Sequence, residues 1–226
     1  MASRQSIFIG TPAMDRRVHV DYAESLLLSQ IALKQANIGF AVQFTVQDSL
    51  VMQARNQILT QFLASDATDL IFIDSDIGWE AKSLLRLISH DVPIVAGVYR
   101  RKSASPSFTV QFADAHAVER NRKTGLVEAI RVGAGYLRIQ RKAVEKMIAA
   151  HPGLRYSQPL PSGNMEERYA LFDTSLVNGG FCGEDYTFCD RWRATGGKIW
   201  VDPDIVLRHV GTTTYTGSIL DALVKN

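Results

Sequence analysis

Two short acidic motifs and one histidine carry the chemistry available to this chain. Asp74-Ser75-Asp76 closes the apolar run Leu70-Ile71-Phe72-Ile73, and Gly183-Glu184-Asp185-Tyr186 sets two more carboxylates side by side. Paired carboxylates are hard oxygen ligands that suit Mg2+ or Mn2+, and such ions usually work together with substrate phosphates. One Asp would be enough to cap a following helix; a second, one residue away, points to a ligand site. Glu184 and Asp185 open a helical pattern through Phe188 and Trp192, where acids are favoured by the macrodipole. The same place suits a general base facing a reacting centre, and a helix N-terminus favours the charged, proton-accepting form of Asp185. His209, in Arg208-His209-Val210-Gly211, matters because a metal held by two Asp still needs ligands.

The elements that position these groups alternate. Ser6 to Gly10 reads as a strand broken by Thr11-Pro12, followed by a helix whose inward stripe is Val20, Ala23, Leu27 and Ile31. Phe40 to Val46 is a second strand, and Asp48 or Ser49 caps a helix with Val51, Ala54, Ile58 and Phe62 inward. Asp69–Ile73 is apolar enough to be buried on both faces of a mostly parallel sheet. A helix with Ala81, Leu84, Leu85 and Ile88 inward and a strand across Pro93–Val98 complete four β units with helices between them. In such a sheet ligands gather outside the carboxyl ends of the strands, where Asp74 and Asp76 fall. Beyond Tyr99 the rhythm shifts to shorter strands, a helix with Val144 and Met147, and a long irregular segment to Gly183 of the kind that serves function.

Composition sets the bounds. At 226 residues with a formal charge of +2, the chain suits one α/β domain and gives no global argument for nucleic acid. No stretch approaches the roughly 20 apolar residues of a membrane span, and no signal-peptide core is visible, so a cytoplasmic location is expected. Cys182 and Cys189 lack metal or redox spacing and read as reduced thiols.

Together these motifs resemble the GT-A class of nucleotide-sugar-dependent glycosyltransferases, in a family-2-like form. The matching pieces are Asp74-Ser75-Asp76, Gly133-Ala134-Gly135-Tyr136-Leu137-Arg138-Ile139, Gly183-Glu184-Asp185-Tyr186, the Gly196-Gly197 stop and His209-Val210-Gly211, in that order. The resemblance implies a single GT-A-type domain with a Rossmann-like nucleotide-sugar-binding half over residues 1–102 and an acceptor-binding, catalytic half over 103–226. It implies transfer of a sugar from a nucleoside-diphosphate donor, UDP-linked, to a saccharide or other hydroxyl acceptor with Mn2+ or Mg2+. Asp76 would bind the metal, with Asp74 serving the ribose or the metal, Ser75 lining the nucleotide site and His209 completing the shell. Thr11 and Pro12 would flank the base and ribose, and Arg55 and Asn56 would lie near the nucleotide. Asp185 would be the base of an inverting reaction, with Glu184 in reserve; in a retaining one both would position the donor.

Tyr99, Arg100, Gly135 and Tyr215 are further expected as acceptor or phosphate contacts. Tyr99 or Trp79 offers an aromatic face to a sugar, and Arg100, Arg101 or Lys102 a cation to a phosphate. Gly211 to Gly217 is small and polar, and reads as a lid ordered by nucleotide. Two other functions use similar parts. A haloacid-dehalogenase-type phosphatase also ends a strand in DxD, but its first Asp lies on the first strand and a Thr follows; here Gly78 stands in that place. A sugar nucleotidyltransferase would carry a Gly-rich basic loop after its first strand, unlike Gly10-Thr11-Pro12-Ala13-Met14. A non-catalytic nucleotide-sugar-binding module would keep the same cleft.

Overall fold

The computed structural model describes residues 5–46, 48–160 and 162–223. In chain order, β1 (Ser6–Ala13) leads to α1 (Val20–Gln35), β2 (Gly39–Val46) to α2 (Val51–Leu63), and β3 (Asp69–Ile73) to the short β4 (Ile77–Gly78) and α3 (Ala81–Ser89). Then β5 (Ile94–Ala96), β6 (Val110–Gln111), β7 (Val127–Ala129), β8 (Arg131–Val132) and β9 (Tyr136–Gln140) precede α4 (Arg141–Ala150). Two hairpins follow, β10 (Arg155–Pro159) with β11 (Met165–Tyr169) and β12 (Ser175–Val177) with β13 (Gly180–Cys182). The described chain closes with α5 (Glu184–Ala194), β14 (Ile199–Val201), β15 (Leu207–Val210), β16 (Thr214–Gly217) and α6 (Ile219–Leu223).

Seven strands form one sheet in the order β2-β1-β3-β9-β5-β14-β7. β2, β1, β3, β5 and β14 share a direction; β9 and β7 oppose it. The mostly parallel α/β sheet read from the sequence is present, with β9 inserted antiparallel between β3 and β5. Arg138 explains how β9 is held there. Its buried guanidinium donates to Asp69 at the start of β3 (2.7 Å) and to the carbonyls of His90 and Val92 ahead of β5 (2.6 Å each). A buried charge persists only when paired and hydrogen-bonded in this way. Because β9 lies between two strands of the first half, residues 1–102 and 103–226 interleave in one sheet.

The two sheet faces have separate cores. One packs Ile58 and Phe62 of α2 with Val144 and Met147 of α4 and Phe188 and Trp192 of α5. The other packs Tyr22 and Leu33 of α1 with Leu84, Leu87 and Ile88 of α3.

Helix α1 corrects the sequence reading. Tyr22, Ser25, Ser29 and Leu33 face inward, and Val20, Leu27 and Ile31 face solvent. The buried serines hydrogen-bond Trp79, whose backbone N–H donates to Ser25 Oγ (2.9 Å) and whose indole donates to Ser29 Oγ (2.8 Å). Satisfied hydroxyls can therefore take the inward face that apolar periodicity assigned to leucine. Trp79 is thereby buried in the core and offers no face to a sugar.

Candidate active site

The site begins where strands end unevenly. β3 accompanies β1 only from Ile7 to Gly10, whereas β2 stays paired with it through Ala13. Strand β1 thus continues past the break expected at Thr11-Pro12, with one side open. Pro12, which has no N–H, is tolerated on such an exposed flank. The opening is a cleft of about 280 Å3 lined by Pro12, Asp48, Ser49 and the Asp74-Ser75-Asp76 turn. It lies at the carboxyl ends of the parallel strands, as a ligand site in this class of sheet should. Thr11 does not reach it. Its hydroxyl is buried against the Tyr22 hydroxyl at 2.6 Å, which replaces the expected nucleotide contact.

A small second sheet, β16-β15-β4, brings His209 to the acidic turn. β4 starts directly after Asp76, and its antiparallel pairing sets His209 opposite Ile77, while Val210 N–H donates to the Asp76 carbonyl (2.8 Å). His209 Nε2 comes within 3.5 Å of Asp76 Oδ2, and Nδ1 bonds the Arg100 carbonyl at 2.8 Å. A carbonyl can only accept, so Nδ1 carries a proton and Nε2 is left facing the carboxylate. This is how a metal-binding imidazole is commonly oriented. Lys102 Nζ also contacts Asp76 Oδ2, at 2.5 Å. Burial opposes ionisation of Asp76, but hydrogen bonds and charge from His209 and Lys102 outweigh it and hold its pKa down at about 2.

Asp74 turns the other way. It pairs with Arg55 of α2 (2.9 Å), whose Nε reaches Glu184 of α5 at 3.3 Å. The expected convergence of Asp74, Asp76 and His209 on one cation is therefore reduced to Asp76 and His209; among the described residues no group of three His, Cys, Asp or Glu is placed to hold a metal. Arg55 is almost wholly buried, and its pKa is raised: burial opposes the charge, and Asp74 and Glu184 more than restore it. Asn56 is a correction too. Its side chain donates to the Phe172 carbonyl (2.7 Å) and accepts from Phe172 N–H (3.0 Å), buried and not lining the cleft.

With Glu184 committed to Arg55, Asp185 is the member of this acidic pair that has no ion-pair partner among the described residues; it accepts from Tyr186 N–H (2.7 Å). Its pKa is pushed up to about 6, by burial first and then by the negative charge of Glu184. The helix N-terminus was expected to lower it; desolvation wins. The buried Tyr99 hydroxyl ties the region together. Burial raises its pKa well above the ordinary value, and the charges of Asp74, Asp185 and Asp76 add to that. It accepts from Gly135 N–H (3.2 Å), and its ring meets His209 edge-on at 4.9 Å, so it is scaffold rather than a sugar platform. Gly135 must be glycine, since a Cβ there would strike the Tyr99 hydroxyl and come within 2.6 Å of Asp74 Oδ2.

In the basic loop, Arg100 bends back to donate to the Ala104 carbonyl (3.2 Å) and its guanidinium lies over the Tyr215 ring at 5.9 Å. Lys102 is the cation that arrives at the acids. Asp48 and Ser49 were missed as cleft residues; their place just after the second strand, at the ligand end of the sheet, was the available signal. Gly211 to Gly217, the stretch read as a lid, forms the turn and second strand of a hairpin with β15.

No protein-family model matches the chain, and no curated protein sequence matches it. Solved structures do. The chain is similar to A197 from STIV, with a TM-score of 0.53 and 17% identity over 92% of this chain and 86% of that one. It is also similar to a mutant of Drosophila β-1,4-galactosyltransferase 7 in complex with manganese, UDP-Gal and xylobiose, with a TM-score of 0.51 and 16% identity over 95% of this chain and 71% of that one. The fold is of the GT-A type. In that GT-A frame, the cleft, the acidic turn, His209 and Asp185 occupy one end of the central sheet.

Proposed function

We propose that this protein is a metal-dependent, inverting glycosyltransferase that moves a sugar from a UDP-sugar to a hydroxyl acceptor. The observation that carries this reading is the meeting of Asp76 and His209 beside a strand-end cleft, with the unpaired carboxylate Asp185 close by. Asp76 and the oriented Nε2 of His209 fit a hard divalent cation such as Mn2+ or Mg2+. Two protein ligands leave most of the shell to water and donor phosphates, the arrangement these ions favour. When bound, the metal would neutralise charge developing on the departing diphosphate.

The chain's own groups account for the rest. Pro12, Asp48 and Ser49 line the space for base and ribose, and Ser75 borders it. Arg55 holds Asp74 and Glu184 in place and leaves Asp185 unpaired. Asp185 takes the proton of the acceptor hydroxyl while that oxygen bonds to the anomeric carbon. The bond from that carbon to the diphosphate oxygen breaks, and its electron pair leaves with the nucleoside diphosphate. A carboxylate with pKa about 6 is deprotonated at neutral pH yet basic enough to assist. The phosphatase alternative would make Asp74 the nucleophile, but Asp74 is ion-paired to Arg55 and follows the third strand of the chain, not the first.

Calorimetry with UDP tests the metal assignment. UDP should bind with Mn2+ present and lose most of that affinity in the His209→Ala variant. Equal UDP affinity of wild type and variant with Mn2+ would remove His209 from the site.

A further inference from the structure

A second cavity, of about 440 Å3, opens between the end of β16 and the chain that follows β5. That volume is within the usual range of small-molecule sites. Strand register places it. His209 pairs with Tyr215 and Leu207 with Gly217, so these four positions share one face of the small sheet, the face that carries the imidazole to Asp76. Gly217 lines the cavity, two residues or roughly 7 Å along β16 from Tyr215. On the facing wall Arg100 and Phe108 form an antiparallel bridge and present their side chains together. The next residue, Arg101, donates to the Phe108 carbonyl and to the Tyr186 hydroxyl, each at 3.1 Å. The cavity wall is thereby joined to the helix start that carries Asp185.

The lining selects among ligands. Arg100 supplies a guanidinium of which, among the described residues, only one side-chain N–H is hydrogen-bonded, to the Ala104 carbonyl. Asp221 supplies a carboxylate with no hydrogen-bond or ion-pair partner among the described residues. Thr216 and Ser218 add hydroxyls, and Phe108 and Pro106 an apolar surface. A phosphate would gain Arg100 but meet Asp221, and a metal cation would gain Asp221 but meet Arg100. A sugar hydroxyl both donates and accepts, so neighbouring hydroxyls of one ring satisfy both side chains together. The C–H face of the same ring suits Phe108 and Pro106.

We propose that this cavity holds the second sugar unit of a neutral oligosaccharide acceptor whose first unit offers its hydroxyl to Asp185. The role of the first unit rests on the transferase reading; the affinity of the cavity for saccharide does not. Arg100 then contacts the acceptor one unit away from the metal, while Lys102, two residues on, stays with Asp76.

Calorimetric titration of the full chain with cellobiose, lactose, maltose and chitobiose, in EDTA and without nucleotide, separates the cavity from catalysis. At least one of these disaccharides should bind. Asp221→Ala should weaken that binding at least about tenfold, as expected for losing a hydrogen bond to a charged group. Ala222→Trp, which fills the cavity from an exposed position, should abolish it. Both variants should keep the melting temperature and the Mn2+-dependent UDP affinity of wild type. In transfer assays Asp221→Ala should raise KM for the disaccharide with kcat unchanged. A wild type that binds none of the four, or binding that is unaltered in both variants, would overturn the proposal even if UDP is released from UDP-sugars. Disaccharide binding that both variants lose, in a protein that releases no UDP from any UDP-sugar, would support the cavity as a saccharide site and count against the transferase reading alone.

Discussion

Asp185 and Glu184 are neighbours in sequence but not in circumstance. Arg55 claims Glu184, while Asp185 is left with burial and repulsion, which lift its pKa to about 6. The sign of the pH dependence follows. A base works deprotonated, so kcat/KM should fall roughly tenfold per pH unit well below 6 and level off above it. Asp185→Asn keeps the shape and removes the basicity. Transfer should drop at least about a hundredfold, with UDP affinity and melting temperature nearly unchanged. A variant that transfers at the normal rate with the same acid limb would rule Asp185 out as the base.

Lys102 is the second residue-scale case. It contacts Asp76 through the oxygen that faces His209, so a divalent cation on Asp76 must compete with its ammonium. Lys102→Met should tighten Mn2+ binding by up to roughly fivefold, the factor that about 1 kcal/mol of a partly exposed ion pair represents. Weaker Mn2+ binding in that variant, measured by calorimetry without nucleotide, would contradict the competition.

At the scale of elements, what could be read from the sequence depended on whether a signal was local. β3 was legible because five consecutive buried residues end in acids, and α5 because acids, aromatic spacing and a glycine stop all agree. α1 was misread because its inward face carries two serines whose partner, Trp79, lies some fifty residues away. Asn56 lies outside the apolar stripe of Val51, Ala54, Ile58 and Phe62 on α2, yet it is buried by its hydrogen bonds to Phe172 in the loop after β11. β9 was unforeseen as an antiparallel insertion because its place depends on Arg138 reaching across two strands. The role given to Asn56 can be tested directly. Asn56→Ala leaves the Phe172 N–H and carbonyl unpaired in the core and should cost about 1–3 kcal/mol of stability. UDP affinity should be unchanged, as read by denaturant unfolding and calorimetry on the same variant. Lost UDP affinity with unaltered stability would return Asn56 to the nucleotide site.

For the whole molecule, a GT-A fold gathers four segments at one end of one sheet: the overhang of β1, the acidic turn after β3, the start of α5 and the β15 strand. Asp76 and His209 are far apart in the chain and meet only because β4 and β15 pair. No helix among the described residues is long and apolar enough to cross a membrane. The measurement that bears most directly on a metal-dependent transferase is release of free nucleoside diphosphate from a panel of UDP-sugars. With Mn2+ and acceptor, wild type should release UDP; excess EDTA or Asp76→Ala should abolish release without loss of fold. Release that continues undiminished in EDTA and in Asp76→Ala would contradict the account.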